Sequence, residues 1–298
     1  MADILSKGSL FPETLVTEVV NKVKGKSSLA RLSNAMPLAF NGNRLFTFSL
    51  DKEMDIVGEN GAKTKGGATI APVTINPVKV EYGVRISDEF MNASEEAKID
   101  MLRPLAGGFS AKMARAIDIM GFHGFNPRTA TASAIIGTNH FDGKVTQIVT
   151  RTSGVDADAE VEAAIALVEG SDNVVTGMAM APSFKSDLAK LTINQGQRKY
   201  PELAWGNAPS TINGLPVDSN NTVSFNSSTD LAILGDFQNM FRWGYAKEMP
   251  IEVIEYGNPD NDAQLGDLKG HNQVYVRIEA YLGWGILDAD AFSVIRSA

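Results

Sequence analysis

The residue types that most often carry catalysis or bind metals form no recognisable motif in this chain. The three histidines, His123, His140 and His271, have no His or Glu partner at the helical spacing that a zinc site uses. Cysteine is absent, so a thiolate nucleophile, a disulfide framework and a Cys-ligated metal site are excluded. The 35 acidic residues allow many carboxylate pairs, but spacing alone singles out none of them. We therefore predict no catalytic residue and no metal site.

One glycine-rich segment superficially suggests a phosphate-binding loop. In GENGAKTKGG (58–67), Gly61 and Gly66 have the Walker spacing, but Gly67 stands where the phosphate-binding lysine belongs. The motifs GxSxG and GxGxxG are absent. PDNDAQLGD (259–267) is rich in carboxylates but lacks the glycine position of an EF-hand, which favours a solvated loop. We expect no cofactor, and the sequence gives little support for an enzyme.

The overall composition is that of an ordinary globular protein with an acidic surface. Of 298 residues, 44% are hydrophobic and 21% charged, which is enough apolar material for a core and suggests about two domains or one large one. The net charge of −8 argues against a surface that grips nucleic acid, since such domains are usually basic. No segment approaches the ~20 apolar residues of a membrane span, so we expect no membrane contact. The lack of cysteine fits synthesis in a reducing cytoplasm.

A segment rich in glycine and lysine interrupts a β-rich region. LFTFSL (45–50) is typical of a strand, and apolar residues alternate with polar ones over 78–86, which predicts a half-buried strand. The sequence between them contains many Gly and Pro residues and few large apolar ones. This pattern predicts a long two-stranded arm whose tip cannot bury itself. Because isolated hairpins are marginal in water, we expect the arm to lie on a partner.

The spacing of apolar residues predicts a long helix over 94–121. Its stripe runs from Ile99 to Met120 with members three or four residues apart. Pro104, Gly107 and Gly108 fall inside this helix, and both residue types disfavour a helix interior. We therefore expect the helix to be kinked or broken near 100–108.

The amino-terminal segment is basic, whereas the rest of the chain is acidic. Residues 1–31 carry five basic and three acidic side chains, and Lys22, Lys24 and Lys26 are the closest together. This asymmetry predicts an arm that docks on another acidic surface, such as a neighbouring subunit. The alternative is a short solvated helix over 12–25, with Pro12 near its start and Gly25 at its end.

The remaining chain mixes helical and strand patterns, so the expected fold class is α+β. Helices are predicted over 156–170 and from Pro182, and a buried strand over 174–181. Further strands are expected at 211–217, 231–235, 240–247 and 250–256, and polar loops at 194–210 and 257–270. The clearest strand pattern is the alternation over 274–286.

The order of these elements resembles the major capsid proteins of tailed phages, the Hong Kong 97 fold family. DIVGENGAKTKGGATIAPVTINPVKVEYGVRISDEFMNAS (55–94) is similar to the extended loop of that family and its return into the body. The segment from Phe109 to Gly121 is similar to the spine helix. GFHGFNPRTATASAII (121–136) is similar to the glycine-rich segment that follows this helix in the family. MAPSFKSDLAKLTINQGQRKYPELAWGNAPSTINGLPV (180–217) resembles the axial domain, and Ala291 with Phe292 the closing motif. The similarity of each segment by itself is weak, but the segments occur in the order of the family and together cover nearly the whole chain.

The resemblance implies an architecture with five parts. They are an amino-terminal arm and entry to the peripheral domain (1–43), the extended loop (44–86), a peripheral domain with the spine helix (87–130), an axial domain (131–274) and a return to the peripheral domain (275–298). The extended loop would contact a neighbouring subunit through Asp55, Gly58, Glu59, Gly61, Lys63, Lys65, Gly66 and Gly67. Pro104, Gly107 and Gly108 would form the bending point of the spine helix, and Lys22, Lys24 and Lys26 would make contacts of the amino-terminal arm.

The resemblance also implies a function and partners. The chain would self-assemble into pentamers and hexamers of an icosahedral shell around the double-stranded DNA genome of a phage, without sequence-specific DNA binding. Expected partners are a portal protein, a separate scaffolding protein and a decoration protein. The location would be the virion capsid, with synthesis and assembly in the cytoplasm of a bacterial host.

Two departures from the family limit what is carried over. Only about 40 residues precede the extended loop, so the cleaved scaffold segment of some members is not expected here. Lys63 and Lys65 lie in the loop, but neither matches the lysine that crosslinks one founding member, and no crosslink is predicted. Two alternatives stay open: a nanocompartment shell of the encapsulin type that holds an enzyme, and a soluble two-domain enzyme with a deep pocket.

Overall fold

A computed structural model describes residues 27–91, 95–152, 154–193, 196–247 and 251–298. The predicted helix over 12–25 and the contact residues Lys22, Lys24 and Lys26 lie outside these ranges. Within the described part, no helix has the length and apolarity that a membrane span requires.

The described chain contains six α-helices and fourteen strands. The helices are α1 (Ser28–Leu32), α2 (Asp88–Met91), α3 (Glu95–His123), α4 (Phe141–Lys144), α5 (Ala157–Glu169) and α6 (Pro182–Lys190). The first strands are β1 (Asn43–Leu50), β2 (Ala68–Ile75), β3 (Val78–Ser87), β4 (Phe125–Asn126), β5 (Thr131–Ala132), β6 (Ile148–Thr150) and β7 (Gly177–Met180). The later strands are β8 (Thr211–Ile212), β9 (Leu215–Ser219), β10 (Asp230–Gly235), β11 (Phe241–Lys247), β12 (Ile251–Ile254), β13 (Gln273–Ile286) and β14 (Phe292–Arg296). Short 3₁₀ helices lie at Pro201–Gly206, Phe225–Ser227 and Lys269–His271.

Two larger sheets organise the body. One has six strands in the order β6-β14-β10-β7-β9-β8. The other is built on β13, which pairs with β3 along one edge and with β12 and then β11 along the other. The expected domain boundary between 274 and 275 therefore falls inside β13 and assigns most of this strand to a different part from its sheet partners β11 and β12. The expected domain bounds stay a prediction.

The two strands predicted from alternating patterns are confirmed as β3 and β13, which pair with each other, although the alternation of burial holds along β13 and is interrupted in β3, where Tyr82 is 46% exposed. Their antiparallel register runs from Gln273 opposite Ser87 to Leu282 opposite Val78. Along β13, every second residue from Val274 to Ile286 is buried, as the period of two requires.

The long helix is confirmed, but the expected break inside it is not present. α3 runs without interruption from Glu95 to His123, through Pro104, Gly107 and Gly108. Its carboxyl-terminal half buries Phe109, Met113 and the apolar residues that follow, on the side that packs with β13 in one core cluster. This burial stabilises the helix and offsets the low helix propensity of the two glycines, at about 1 kcal/mol each.

A single strand predicted over 211–217 is two short strands joined by a tight turn. Asn213 and Gly214 have φ of 48° and 86°, which suits the left-handed positions of a hairpin turn between β8 and β9. The last strand, β14, was not predicted. It lies between β10 and β6 in the six-stranded sheet and is buried over almost its whole length.

Two apolar cores accompany the two sheets. The first joins α3 to β13 and contains the aromatic group Phe141, Phe237, Phe241 and Phe292, whose rings lie 5.0–5.9 Å apart in successive pairs. The second lies between the six-stranded sheet and the helices α5 and α6.

Candidate assembly surface

The expected two-stranded arm is confirmed, and it is formed by β1 and β2. These strands pair antiparallel from Asn43 opposite Ile75 to Leu50 opposite Ala68. The strand over 78–87 belongs instead to the body, where it pairs with β13. We call β1, β2 and the connecting residues 51–67 the arm, and residues 51–67 its tip.

One face of the arm is apolar and exposed. Residues opposite each other in an antiparallel pair lie on the same face, so Phe46 shares its face with Pro72 and Phe48 with Ile70. Phe46, Phe48 and Ile70 are 64%, 63% and 62% exposed. A continuous row of exposed large apolar side chains marks an interaction surface.

The signal for this face was present in the sequence. Phe46, Phe48 and Leu50 alternate with Thr47 and Ser49, which is the pattern of a strand with one apolar face. By itself this alternation predicts a strand, but not which of its two faces is exposed. Which side of the strand the body covers depends on its pairing with β2, and that pairing is not readable from β1 alone.

The tip contains all eight residues that the resemblance assigned to subunit contacts, and every residue in it is exposed. The first and last residues of the tip are joined by a hydrogen bond of 2.6 Å, which Asp51 Oδ1 accepts from the Gly67 backbone N–H. A turn closes where Gly61 N–H donates to the Gly58 carbonyl at 2.9 Å. A strand follows the glycine-rich segment, whereas a phosphate-binding loop leads into a helix.

The end of the arm that joins the body, which we call its root, is Ile75 at the end of β2, and it is packed into the body. Ile75 is fully buried. A Cβ built on Gly283 or Gly285 of β13 would lie 3.1 Å or 2.8 Å from the side chain of Ile75. The two glycines therefore form a socket for Ile75, which fixes where the arm leaves the body.

A buried carboxylate connects α3 to two distant segments. Asp118 accepts hydrogen bonds from the backbone N–H groups of Ser28 and Leu29, at 3.0 and 3.2 Å, and from the Ser27 hydroxyl. Its Oδ2 also accepts from Asn220 Nδ2 and the Thr222 hydroxyl, both at 3.0 Å. Complete burial raises the pKa of Asp118 to about 6, although these hydrogen bonds act in the opposite direction. At neutral pH the carboxylate is ionised and fixes α1 and the 220–222 loop against the spine helix.

A second polar cluster lies at the carboxyl end of α3. His123 Nδ1 is 2.8 Å from Asp142 Oδ2, and His123 Nε2 is 2.9 Å from the Thr222 carbonyl oxygen. Arg296 donates to Asp230 at 2.6 Å and to Asp142 at 3.0 Å. Since both ring nitrogens of His123 face acceptors, both carry a proton and the ring is an imidazolium.

The pKa values of this cluster follow from its geometry. Burial is the largest single influence and lowers the pKa of His123. The hydrogen bond and charge of Asp142, the Thr222 carbonyl and the charge of Asp230 together outweigh burial, so the net shift of this pKa is upward. Burial raises the pKa of Asp142, and the hydrogen bonds from its partners overcome this to bring it to about 2. Burial and the neighbouring Asp142 raise the pKa of Asp230 to about 6.

His123, Asp142 and Asp230 also place ligand atoms within 4.8 Å of one another, as a metal site would. The contact of 2.8 Å between His123 and Asp142 is a direct hydrogen bond, with no space for an ion between the two atoms. Arg296 already supplies a positive charge to both carboxylates. The cluster therefore has a structural role and connects α3, α4, β10 and β14.

The other two histidines lie elsewhere. His140 accepts a hydrogen bond from the Gly143 backbone N–H at the start of α4, and His271 lies in an exposed 3₁₀ turn.

The acidic loop over 257–270, expected to be solvated, is ordered around an arginine. Arg85 of β3 donates to Asn258 Oδ1 at 2.8 Å, to both carboxylate oxygens of Asp260, and to the Gly266 carbonyl at 3.0 Å. The guanidinium supplies the positive charge that faces the Asp260 carboxylate. Most residues of the loop are exposed, so the prediction of a solvated loop is confirmed. Its contact with Arg85 could not be predicted, because Arg85 precedes the loop by more than 170 residues in sequence.

The proposed bending residues lie in a helix with free space around its glycines. A Cβ on Gly107 or Gly108 would meet no heavy atom within 4 Å outside the helix itself. Both positions could therefore accept alanine without a steric conflict.

Comparison with known proteins identifies relatives over almost the full chain. The sequence model described as the phage capsid family matches residues 7–297. A solved structure from Mycobacterium phage Ogopogo is 34% identical, with 92% of each chain covered and a TM-score of 0.78. One from Gordonia phage Cozz is 25% identical, covers 92% of this chain and 87% of that chain, and has a TM-score of 0.74. The capsid of an empty GTA particle shares the fold at 14% identity, with 92% and 90% covered and a TM-score of 0.65. A search of curated proteins found no match.

Proposed function

Because the chain belongs to the phage capsid family, it is a major capsid protein that forms an icosahedral shell, and we propose that the shell consists of pentamers and hexamers around double-stranded phage DNA. Its role in the virion capsid is structural. The Hong Kong 97 fold expected from the sequence matches the solved phage structures.

The exposed apolar face of the arm is the observation that carries the proposal. Phe46, Phe48 and Ile70 lie on a two-stranded ribbon, and within the described residues no third strand pairs with it and these three side chains remain exposed. Such a ribbon is marginally stable in water by itself. In a shell, a neighbouring copy would cover it. Each such contact would bury on the order of 1,600 Å², and many contacts per subunit would act together.

The tip would extend this contact. Its glycines and the side chains of Glu59, Lys63 and Lys65 are exposed, so they can adapt to a neighbour in pentamers and in hexamers. Pro104, Gly107 and Gly108 would let the spine helix bend between a rounded precursor and an angular mature shell. Lys22, Lys24 and Lys26 would attach the amino-terminal arm to the acidic surface of another subunit.

The negative net charge of the chain is consistent with a shell that encloses DNA without binding it tightly. A net charge of −8 leaves phosphate neutralisation to counterions, so the genome can be packed and released. DNA would be enclosed without sequence-specific contacts. The other proposed partners are a portal protein, a separate scaffolding protein and a decoration protein, with assembly in the host cytoplasm.

The alternative that shares this fold is an encapsulin-like compartment with an enzyme cargo. Purified particles would contain DNA in one case and a cargo protein in the other, so nuclease-protected nucleic acid distinguishes the two. A soluble two-domain enzyme no longer fits, since the family is a structural one.

Two matched substitutions on neighbouring residues of β1 test the arm. Phe48→Asp places a charge on the apolar face, and Ser49→Asp places the same charge on the opposite face. We expect both variants to fold and only Phe48→Asp to block shell formation in electron micrographs. Normal shells from Phe48→Asp would contradict the proposal that this face is an interface.

A further inference from the structure

Trp205 is a second apolar side chain that the isolated subunit leaves uncovered. It is 96% exposed, whereas the other two tryptophans of the chain, Trp243 and Trp284, are 3% and 1% exposed. It lies in the 3₁₀ segment Pro201–Gly206, shortly before β8, and this segment packs with α6 in the core of the six-stranded sheet, to which the arm does not belong. Its exposure therefore needs an explanation independent of the arm.

Besides the exposure of its side chain to water, Trp205 has an unfavourable backbone conformation. Trp205 has φ of 57° and ψ of 32°, and Gly206 follows with φ of 79°. The Asn207 N–H donates to the Ala204 carbonyl at 3.2 Å, which closes a turn with two left-handed central residues. Asn, Asp and Gly are the residues that suit such positions. Among the described non-glycine residues with positive φ, Trp205 has the one large side chain, since the others are Ala, Asp, Asn and Ser.

The turn is nevertheless firmly supported. Lys185 Nζ of α6 donates to the carbonyl oxygens of Gly206 and Asn207, each at 3.4 Å, and Asn207 Nδ2 donates to the Glu202 carbonyl at 2.9 Å. Beneath it, Leu203 is buried in the core of the six-stranded sheet. A well-held turn that presents an exposed aromatic in an unfavourable conformation indicates a functional contact that compensates for both costs.

The six-stranded sheet has two edges, and they offer two different surfaces for contacts between copies. Copies in a closed ring meet through two different surfaces, one on each side of the subunit. β8 and β6 are the two edges of the six-stranded sheet, and Trp205 precedes β8. The β6 edge carries two exposed apolar residues, Ile148 within the strand and Val155 just after it.

We propose that Trp205 is an anchor residue that packs on the β6 edge of the neighbouring copy, beside Ile148 and Val155, within each pentamer or hexamer. This inference rests on the proposed function and adds a second interface to that of the arm. Tryptophan is enriched among the few residues that dominate interface energetics, and a fixed turn lowers the conformational entropy that binding removes.

Tryptophan fluorescence of the wild-type protein tests this contact directly. In the unassembled subunit, acrylamide should quench Trp205 and leave Trp243 and Trp284 protected. In shells assembled from this chain alone, the quenchable component should disappear and the emission should shift to the blue. Trp205→Phe assigns the component, because it removes that indole and keeps an aromatic ring. Equal quenching of shells and subunits would overturn the proposal.

A second pair of variants separates assembly from folding. Trp205→Gly suits the left-handed backbone, so the thermal midpoint of its unassembled subunit should equal or exceed that of the wild type. Its critical concentration for assembly should rise at least tenfold, while Trp205→Phe stays within threefold of the wild type. Wild-type assembly by Trp205→Gly would refute the anchor while leaving the shell function intact. Failure of the wild-type chain to assemble even together with its scaffolding protein would instead count against the shell function.

Discussion

Ile75 lies directly on Gly285, so that a Cβ at position 285 would come within 2.8 Å of Ile75 Cγ1. The contact joins the last residue of the arm to the longest strand of the body. It explains how one segment can be both firmly placed and exposed: the root is fixed in a socket while the apolar face and tip remain free. A shell subunit needs this combination, because the arm must reach a neighbour in a reproducible direction.

Filling the socket should displace the root of the arm. Gly285→Ala would force Ile75 to move, and overpacking of this kind lowers the free energy of unfolding by about 1–3 kcal/mol. We expect a lower thermal midpoint and fewer closed shells. Gly270→Ala is the matched control, since no heavy atom lies within 4 Å of a Cβ there. If the two variants assembled equally well, the socket would not direct the arm.

Shortening the tip should separate folding from assembly. Deletion of residues 58–67 removes exposed residues without removing a core contact. The variant should keep the circular dichroism spectrum and thermal midpoint of the wild type but give aberrant or no shells in electron micrographs. Normal shells would show that the tip is not an interface.

Stiffening the spine helix should affect maturation. Gly107→Ala combined with Gly108→Ala should raise helix stability by about 1 kcal/mol per site, and the open space at both positions admits the added methyl groups. We expect a more stable subunit whose rounded precursor shells convert more slowly to the angular form. Time-resolved electron microscopy of the conversion would measure this. Wild-type conversion rates would show that bending at these glycines is not needed.

Removing the charge of Asp118 should loosen the connection between α1 and α3. At pH 7 the carboxylate accepts from five donors, and in Asp118→Asn the amide NH₂ would face donors instead. Loss of a buried charged acceptor lowers the free energy of unfolding by about 3 kcal/mol. Chemical denaturation at pH 7 measures the effect. Asp172→Asn, at an exposed turn, is the control and should unfold like the wild type.

The His123 cluster should make stability depend on pH. The pKa of His123 is raised in the folded protein, so its contribution is fully present below the ordinary histidine pKa of about 6.5 and is lost as pH rises through the folded value. Of the facing groups, Asp142, with a pKa of about 2, and Arg296, with a raised pKa, keep their charges in this window, whereas Asp230, with a pKa of about 6, completes its ionisation at the acidic end of it.

The expected result is a fall in the thermal midpoint as the pH rises above about 6.5, and His123→Gln should abolish this fall. His271→Gln should behave as the wild type, because His271 is exposed and bonded only to a backbone carbonyl. A fall that persists unchanged in His123→Gln would place its origin outside this cluster.

Local patterns predicted much of the fold. The alternation of β13, the stripe of α3 and the composition of the arm each depend on neighbouring residues, so the sequence displays them. β14 was missed because it is a short buried run that takes its strand form from pairing with β10 and β6. The break in α3 was wrong because burial of Phe109 and Met113 supports the helix after the glycines.

The polar clusters could not be predicted for the same reason. Asp118 meets Ser28 and Thr222 across separations of 90 and 104 residues, and no spacing rule connects such positions. Arg85 and Asn258 are 173 residues apart. The tip of the arm was recognised from composition and resemblance, whereas the apolar face required the pairing register of β1 and β2.

The most direct measurement is a cryo-electron microscopy map of shells assembled from the purified wild-type chain, detailed enough to trace the arm. The account predicts that Phe46, Phe48 and Ile70 are buried against a neighbouring copy, with the tip of the arm extending across it. An arm that projects into solvent, or folds back onto its own subunit, in an otherwise closed shell would contradict the claim that this surface builds the capsid.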